Sequence, residues 1–514
     1  TEHEVEAACR GVGLGYRLFR TSLVIGAVPP RRGPDREGFL HFLEVLHDLK
    51  GEIDERLPGH LGSRPLRCWA PAGASLGIVR VEQAAAQLLQ VARSPGTLSG
   101  RFRITAPERS PFARLCERVG AALGLDLVTV ADTGELNAID RQLHSRLEGV
   151  RAHFEAAGFD DTGGHPGPSA GELGLGPEAQ SELFRSVREE LDAARAERRA
   201  RAAALFATLV PRTLARGDST LTYFAAGSRG TPVVILNALG QGLFYWSRLV
   251  DCLMRNHRVL VWEPRGLESG PQPFLLRDHV DDLEAVLQHE GIDACHLVGW
   301  CTGPKVAVEF HRRRPAAVAS MVFLNGSLRW SGSPKELETV YERNFEPLCR
   351  MLVRRPAMAA SVLKSLRLSM SREEGSDLGG LPDSEVALRV LSLMNKDLQP
   401  HALGPFRSEP VIVSYAHQII DFLSYDIRTH MAQVRAPIML LSAEHDGVAA
   451  PDTSRHMAEL IPHCHHVHVQ GATHYCLYDR PEFVAEQMEA FFQGRVGASP
   501  RAADAPRSEA PHAA

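Results

Sequence analysis

No stretch of this 514-residue chain approaches the roughly 18 consecutive apolar residues of a membrane-crossing helix, so no membrane span is expected. Nor does the chain open with a charged, then apolar, then small-residue leader. It carries no excess of positive charge: 57 Lys and Arg stand against 62 Asp and Glu, a formal charge of -5, which argues against a basic nucleic-acid footprint. Its nine cysteines are odd in number, scattered, and contain no Cys-x-x-Cys pair, so no disulfide framework is expected. Cys464 and Cys476 lie near His463, His465, His466, His468 and His474, a density that invites a metal, but no tight ligand pair supports one. The composition therefore predicts a cytoplasmic protein without metal, flavin or haem. Its length is too great for one ordinary domain.

The first 150 residues change element often, with Pro or Gly at the turns, and read as a small α/β lobe. They lack a Gly-x-Gly-x-x-Gly turn between strand and helix, so no dinucleotide site is expected there. Residues 151–177 are rich in Gly, Pro, Asp and Ser and read as a flexible linker. An Ala-, Arg- and Glu-rich helical bridge is expected over 178–219, and a disordered tail over 495–514.

Residues 220–494 are more regular. Apolar strands at Pro232–Leu236, Arg258–Trp262, His296–Gly299, Ser320–Leu324, Pro437–Ser442 and His466–Gln470 alternate with helices, the pattern of a mostly parallel sheet covered on both faces. A mainly helical insertion at about 329–429 is expected to cap the carboxyl ends of those strands, where open sheets bind ligands.

The chemistry centres on Gly299-Trp300-Cys301-Thr302-Gly303, between a strand and a helix. Small residues on either side of Cys301 permit the tight turn that exposes a nucleophile, and the Thr302 N–H at the helix start can face an oxyanion. A nucleophile needs a base and the base an orienter. His474, in the loop GATHY, and Asp446, in AEHDG, follow later strands in the order expected of successive carboxyl-end loops. His445 and Asp452 stand nearby as competitors. Trp300, Phe244, Tyr245 and Trp246 are candidate substrate walls, with core packing an equal alternative. Lys305 is expected to point outward, and Glu263 and Arg265 to serve as scaffold.

The elbow GWCTG, the acid loop AEHDG and the histidine loop GATHY together resemble the α/β-hydrolase superfamily, over about residues 220–492. The resemblance implies an eight-stranded sheet, a helical cap, acyl chemistry, and a second oxyanion N–H from around Ala238 or Leu239. With cysteine in the elbow, the segment resembles dienelactone hydrolases, polyhydroxyalkanoate synthases and some carrier-linked thioesterases. Residues 1–148, with YRLFRTSLVIG, IVRVEQAAAQLLQ and FRITAPERSPFARLCERVGAALGL, resemble the later half of an extended short-chain dehydrogenase/reductase lacking its nucleotide half. Such a lobe is either the remainder of a longer reductase fusion or a docking piece, and implies no cofactor. The reading that follows is acyl transfer through a Cys301 acyl-thioester, from an acyl thioester on coenzyme A or an acyl carrier protein to water, amine or alcohol. The alternatives are a simple ester or thioester hydrolase and a non-catalytic binding protein.

Overall fold

The computed structural model describes residues 2–21, 23–25, 39–94, 100–104, 106, 109–147, 165–166, 175–217, 219–267, 273–370, 378–431, 433–461 and 464–495. Nearly all of the expected linker and tail lies outside them. The chain divides into two compact units, Thr1–Glu197 with Gly380–Val390, and Arg198–Gly379 with Leu391–Ala514.

Among its described residues the first unit holds only small sheets. Two strands near its start, Arg17–Thr21 and Leu23–Ile25, join different sheets. Helix Phe39–Arg56 buries Phe39, Phe42, Leu46 and Leu49, a one-sided stripe, with Phe39 against Phe184 and Phe42 against Phe112. The segment Gly380–Val390, drawn from the expected cap, belongs to this unit. Its Asp383 accepts from Arg67 Nη1 at 2.8 Å, Asn137 Nδ2 at 2.9 Å and Arg64 Nη1 at 3.3 Å.

The second unit is built on one eight-stranded sheet. Its strands are β1 Arg212–Arg216, β2 Ser219–Ala226, β3 Val233–Leu236, β4 Val259–Trp262, β5 Cys295–Trp300, β6 Val318–Leu324, β7 Ile438–Ala443 and β8 Cys464–Val469. They lie in the order β1-β2-β4-β3-β5-β6-β7-β8. The pairs β1–β2 and β2–β4 are antiparallel and all others parallel. The bridge expected over 178–219 is thus a helix, Pro177–Thr208, followed by the first strand and the start of the second. Every residue of β3, β4, β5 and β7 is buried, because helices cover both faces and leave no polar side for the strands to alternate with. On one face pack α1 Ser247–Leu253 and α9 Pro481–Phe492; on the other lie α2 Leu276–His289 and α3 Gly303–Arg313. The insertion after β6 supplies α4 Val340–Arg354, α5 Ala359–Met370 and α7 Glu409–Ser424 to this unit; α6 Asp383–Ser392, which follows α5 in sequence, falls mostly in the segment of the first unit, and α8 Pro451–Leu460 follows β7.

Candidate active site

Strand β5 ends at Trp300, and the chain turns sharply into α3 through Cys301, which has φ 52°. That left-handed conformation is strained for a residue with a side chain, and it is held here by its surroundings. A Cβ on Gly303 would fall 2.2 Å from the Leu236 carbonyl, and one on Gly299 would fall 2.6 Å from the Pro304 nitrogen. Both positions admit only glycine because backbone passes against backbone. The Cys301 carbonyl accepts from Ser327 N–H at 2.6 Å, tying the turn to the loop after β6.

Asp446, after β7, is buried and saturated. Its Oδ1 accepts from the N–H groups of Val448 and Ala449, each at 2.8 Å. Its Oδ2 accepts from Asn325 Nδ2 and from His474 Nδ1, each at 2.8 Å. With a carboxylate on Nδ1, the proton sits there and Nε2 is left for the other side of the ring. Burial works against a charged imidazole at His474, but the Asp446 carboxylate and then the Cys301 sulfur outweigh it and hold the pKa up at about 10. The His474 carbonyl accepts from Trp300 Nε1 at 3.2 Å, which fixes the loop to the end of β5.

Cys301 and His474 line one cavity of about 470 Å³, within the usual size range for small-molecule sites. Trp300, Thr302, Ala238 and Leu239 line it as well. The Leu239 N–H donates to Thr302 Oγ1 at 2.9 Å, and the Ala238 N–H to Asn237 Oδ1 at 2.9 Å, so both hold internal acceptors. A wider groove of about 880 Å³ beside Lys364 and Arg407 is lined by none of the three reactive candidates.

Phe244, Tyr245 and Trp246 do not line the cavity. Tyr245 and Trp246 are fully buried, and Trp246 Nε1 donates to Asn237 Oδ1 at 2.8 Å, while Phe244 stacks on His401. They pack behind the site because their short 3-10 turn is folded into the core. Lys305, expected to point outward, is 2% exposed, and its Nζ donates to the carbonyls of Arg329 at 2.7 Å, Phe422 at 2.6 Å and Tyr425 at 3.4 Å. Burial, then the Arg329 charge, bring its pKa down to about 7.

Two contributors escaped the sequence reading. Asn325, just after β6, has φ 47° and holds Asp446 on one side while its Oδ1 accepts from Cys476 Sγ at 2.8 Å. Asn tolerates the left-handed region better than most residues, so an Asn-Gly pair closing a buried strand was the available signal. Glu342 is buried on the cavity wall in the first turn of α4. Its only mark in the sequence is the capping pattern Thr339-x-x-Glu342. Among the described residues no group of three or more His, Cys, Asp or Glu is arranged to hold a metal. No helix among them is long and apolar enough to cross a membrane.

Residues 231–481 match the family model for the alpha/beta hydrolase fold, and the second unit has that fold. A protein of Azorhizobium caulinodans named "Putative carbamate hydrolase RutD" is 24% identical over 278 residues, covering 54% of this chain and 96% of its own. One of the same name from Pseudomonas savastanoi pv. phaseolicola is 25% identical over 259 residues, covering 47% and 86%. The crystal structure of a hydrolase from Pseudomonas aeruginosa PA01 matches with TM-score 0.41 and 19% identity over 55% of this chain and 98% of that one.

These comparisons correct three expectations. The relatives are serine- and aspartate-type hydrolases, so the kinship with the cysteine-nucleophile branch of the superfamily does not hold. Their activities are hydrolytic, which overturns acyl transfer from a coenzyme A or carrier-bound thioester. No short-chain dehydrogenase/reductase fusion is evident; the matched residues lie in the second unit, and the first has only two- and three-stranded sheets among its described residues.

Proposed function

We propose that the second unit hydrolyses a small ester-class substrate in the 470 Å³ cavity, with Cys301, His474 and Asp446 as the reacting and orienting groups. One observation carries this reading: His474, held by buried Asp446, faces the same largely apolar cavity as the residue at the strained strand-to-helix turn. The hydrolytic names of the relatives support it.

The substrate carbonyl carbon sits over Cys301. His474 holds the proton that leaves Sγ, and Asp446 stabilises the resulting imidazolium. As Sγ bonds to the carbonyl carbon, the oxyanion meets the Thr302 N–H at the helix head, since the Ala238 and Leu239 N–H groups are held by Asn237 and Thr302. Collapse breaks the ester C–O bond, and the imidazolium gives its proton to the departing alcohol. Water then adds as His474 takes its proton, and the acid leaves with Sγ restored. Trp300 forms the wall beside this centre.

Aryl acetate hydrolysis tests the assignment. Cys301→Ala and His474→Ala should each lower kcat/KM by about a thousandfold or more. Near-normal turnover in Cys301→Ala would overturn the role of Cys301.

A further inference from the structure

The cavity that holds Cys301 is not uniformly apolar, and its polar side chains differ in what they have left to offer. Lys305 and Arg329 both line it. Yet the Lys305 ammonium is spent on three carbonyls. Arg329 is spent as well: Nε donates to Glu338 at 2.7 Å, Nη2 to Glu346 at 2.6 Å and Nη1 to the Glu342 carbonyl at 3.2 Å. Despite two buried cations, this is not an anion site.

Glu342 is different. It is 6% exposed, and both of its side-chain hydrogen bonds fall on one oxygen: Oε2 accepts from Thr339 N–H at 2.9 Å and Ala450 N–H at 3.3 Å. Among the described residues Oε1 has no hydrogen-bond partner. The Gln241 amide oxygen, also on the cavity wall, is fully buried without a partner. An acceptor on a largely apolar wall without a donor is under-satisfied, so a ligand N–H placed there gains a hydrogen bond. Part of the remaining wall, among aliphatic side chains, is aromatic: Phe345, Phe406 and Tyr415 meet with centroids 5.8–6.4 Å apart, and Tyr341 stacks on Phe345 at 4.8 Å. Such faces suit a planar ring.

Resting on the ester-hydrolase reading, we infer that Glu342 is a specificity-determining residue, and that the substrates are aryl esters carrying an uncharged amide N–H that donates to its bare Oε1. Burial pushes the Glu342 carboxyl up to about 7. Charged or titratable groups bearing on it are Asp446, Arg329, Lys305 and Tyr341. Because Oε2 already faces two N–H groups, a proton taken up by this carboxyl goes to Oε1 and turns the acceptor into a donor. The ionised form therefore favours an N–H, and the protonated form rejects it.

The test compares 4-acetamidophenyl acetate with 4-(2-oxopropyl)phenyl acetate, in which CH2 replaces the amide N–H. At pH 8 the wild-type kcat/KM should favour the first by about tenfold. The ratio should fall toward one at pH 6. Glu342→Gln keeps an oxygen for the Thr339 and Ala450 N–H groups but turns an NH2 toward the cavity. Its ratio should be one or less at both pH values. Lys305 and His474 persist in that variant, and a ratio between two esters cancels their common effect on the chemical step. A wild-type ratio near one at pH 8, or an unchanged ratio in Glu342→Gln, would overturn the inference while leaving hydrolysis intact. If neither ester is hydrolysed, the functional reading fails instead. The inference is then decided by wild-type affinity for two inert ketones at pH 8, N-[4-(2-oxopropyl)phenyl]acetamide and 1,4-bis(2-oxopropyl)benzene. About tenfold tighter binding of the amide supports it, and equal binding refutes it.

Discussion

Asp446 shows how much one side chain carries at this site. Two backbone N–H groups and Asn325 hold its carboxylate, so the remaining lone pair has one geometry to offer His474. That carboxylate is the main influence raising the His474 pKa. Asp446→Asn keeps the shape and removes the charge, so the imidazole should lose its proton at a lower pH. The alkaline limb of the kcat/KM–pH profile should then move downward, with activity reduced by at least about a hundredfold. An unmoved limb would mean that His474 is not the titrating group. Of these residues, Cys301, Asp446 and His474 were candidates from the sequence because each sits in a short loop after a strand. Asn325 and Glu342 were not, since an Asn after a strand and a Glu in a capping box have ordinary local explanations.

The elbow belongs to the next scale, because β5, β3 and α3 define it together. Helix α3 runs so close to β3 that Gly303 sits against the Leu236 carbonyl. Gly303→Ala must push the helix away, costing about 2 kcal/mol or more and displacing Cys301 from His474. Urea unfolding should show the loss of stability, and aryl acetate turnover a larger fractional loss than stability alone explains. Equal activity with normal stability would mean that the turn relaxes freely. The glycines flanking the elbow were readable from spacing, whereas the identity of the neighbour they avoid was not. Periodicity likewise found the buried strands but missed β1, whose short, largely exposed run at the sheet edge resembles the end of the preceding helix.

At the scale of the whole molecule, Lys305 and His474 oppose one another in their effect on stability. A raised histidine pKa stabilises fully below about 6.5 and loses that contribution as pH climbs toward 10. A lysine lowered from 10.5 to about 7 does the reverse: the unfolded chain binds the extra proton between those values, so stability rises with pH across that window. Lys305→Met removes the second effect and strands three carbonyls, costing about 2 kcal/mol or more at pH 7. The urea midpoint of that variant should fall more steeply between pH 7 and 9.5 than that of the wild type; parallel slopes would refute the opposition. In the first unit, Asp383→Ala removes the acceptor for Arg64, Arg67 and Asn137, with the carboxylate about a third exposed. A loss of about 1 kcal/mol and faster proteolysis within residues 380–390 are expected, and unchanged proteolysis would show that Asp383 does not anchor the segment.

The sequence by itself determined the strand and helix alternation, the elbow and the two loops that complete the triad candidates. These follow from local rules: buried strands are runs of apolar residues, and tight turns demand small ones. Only the tertiary structure decided that Gly380–Val390 leaves the insertion to join the first unit, that Lys305 turns inward, and that Glu342 keeps one oxygen bare beside Cys301. Those outcomes depend on which distant carbonyls and N–H groups come within reach, and a linear pattern of residue types does not encode that distance.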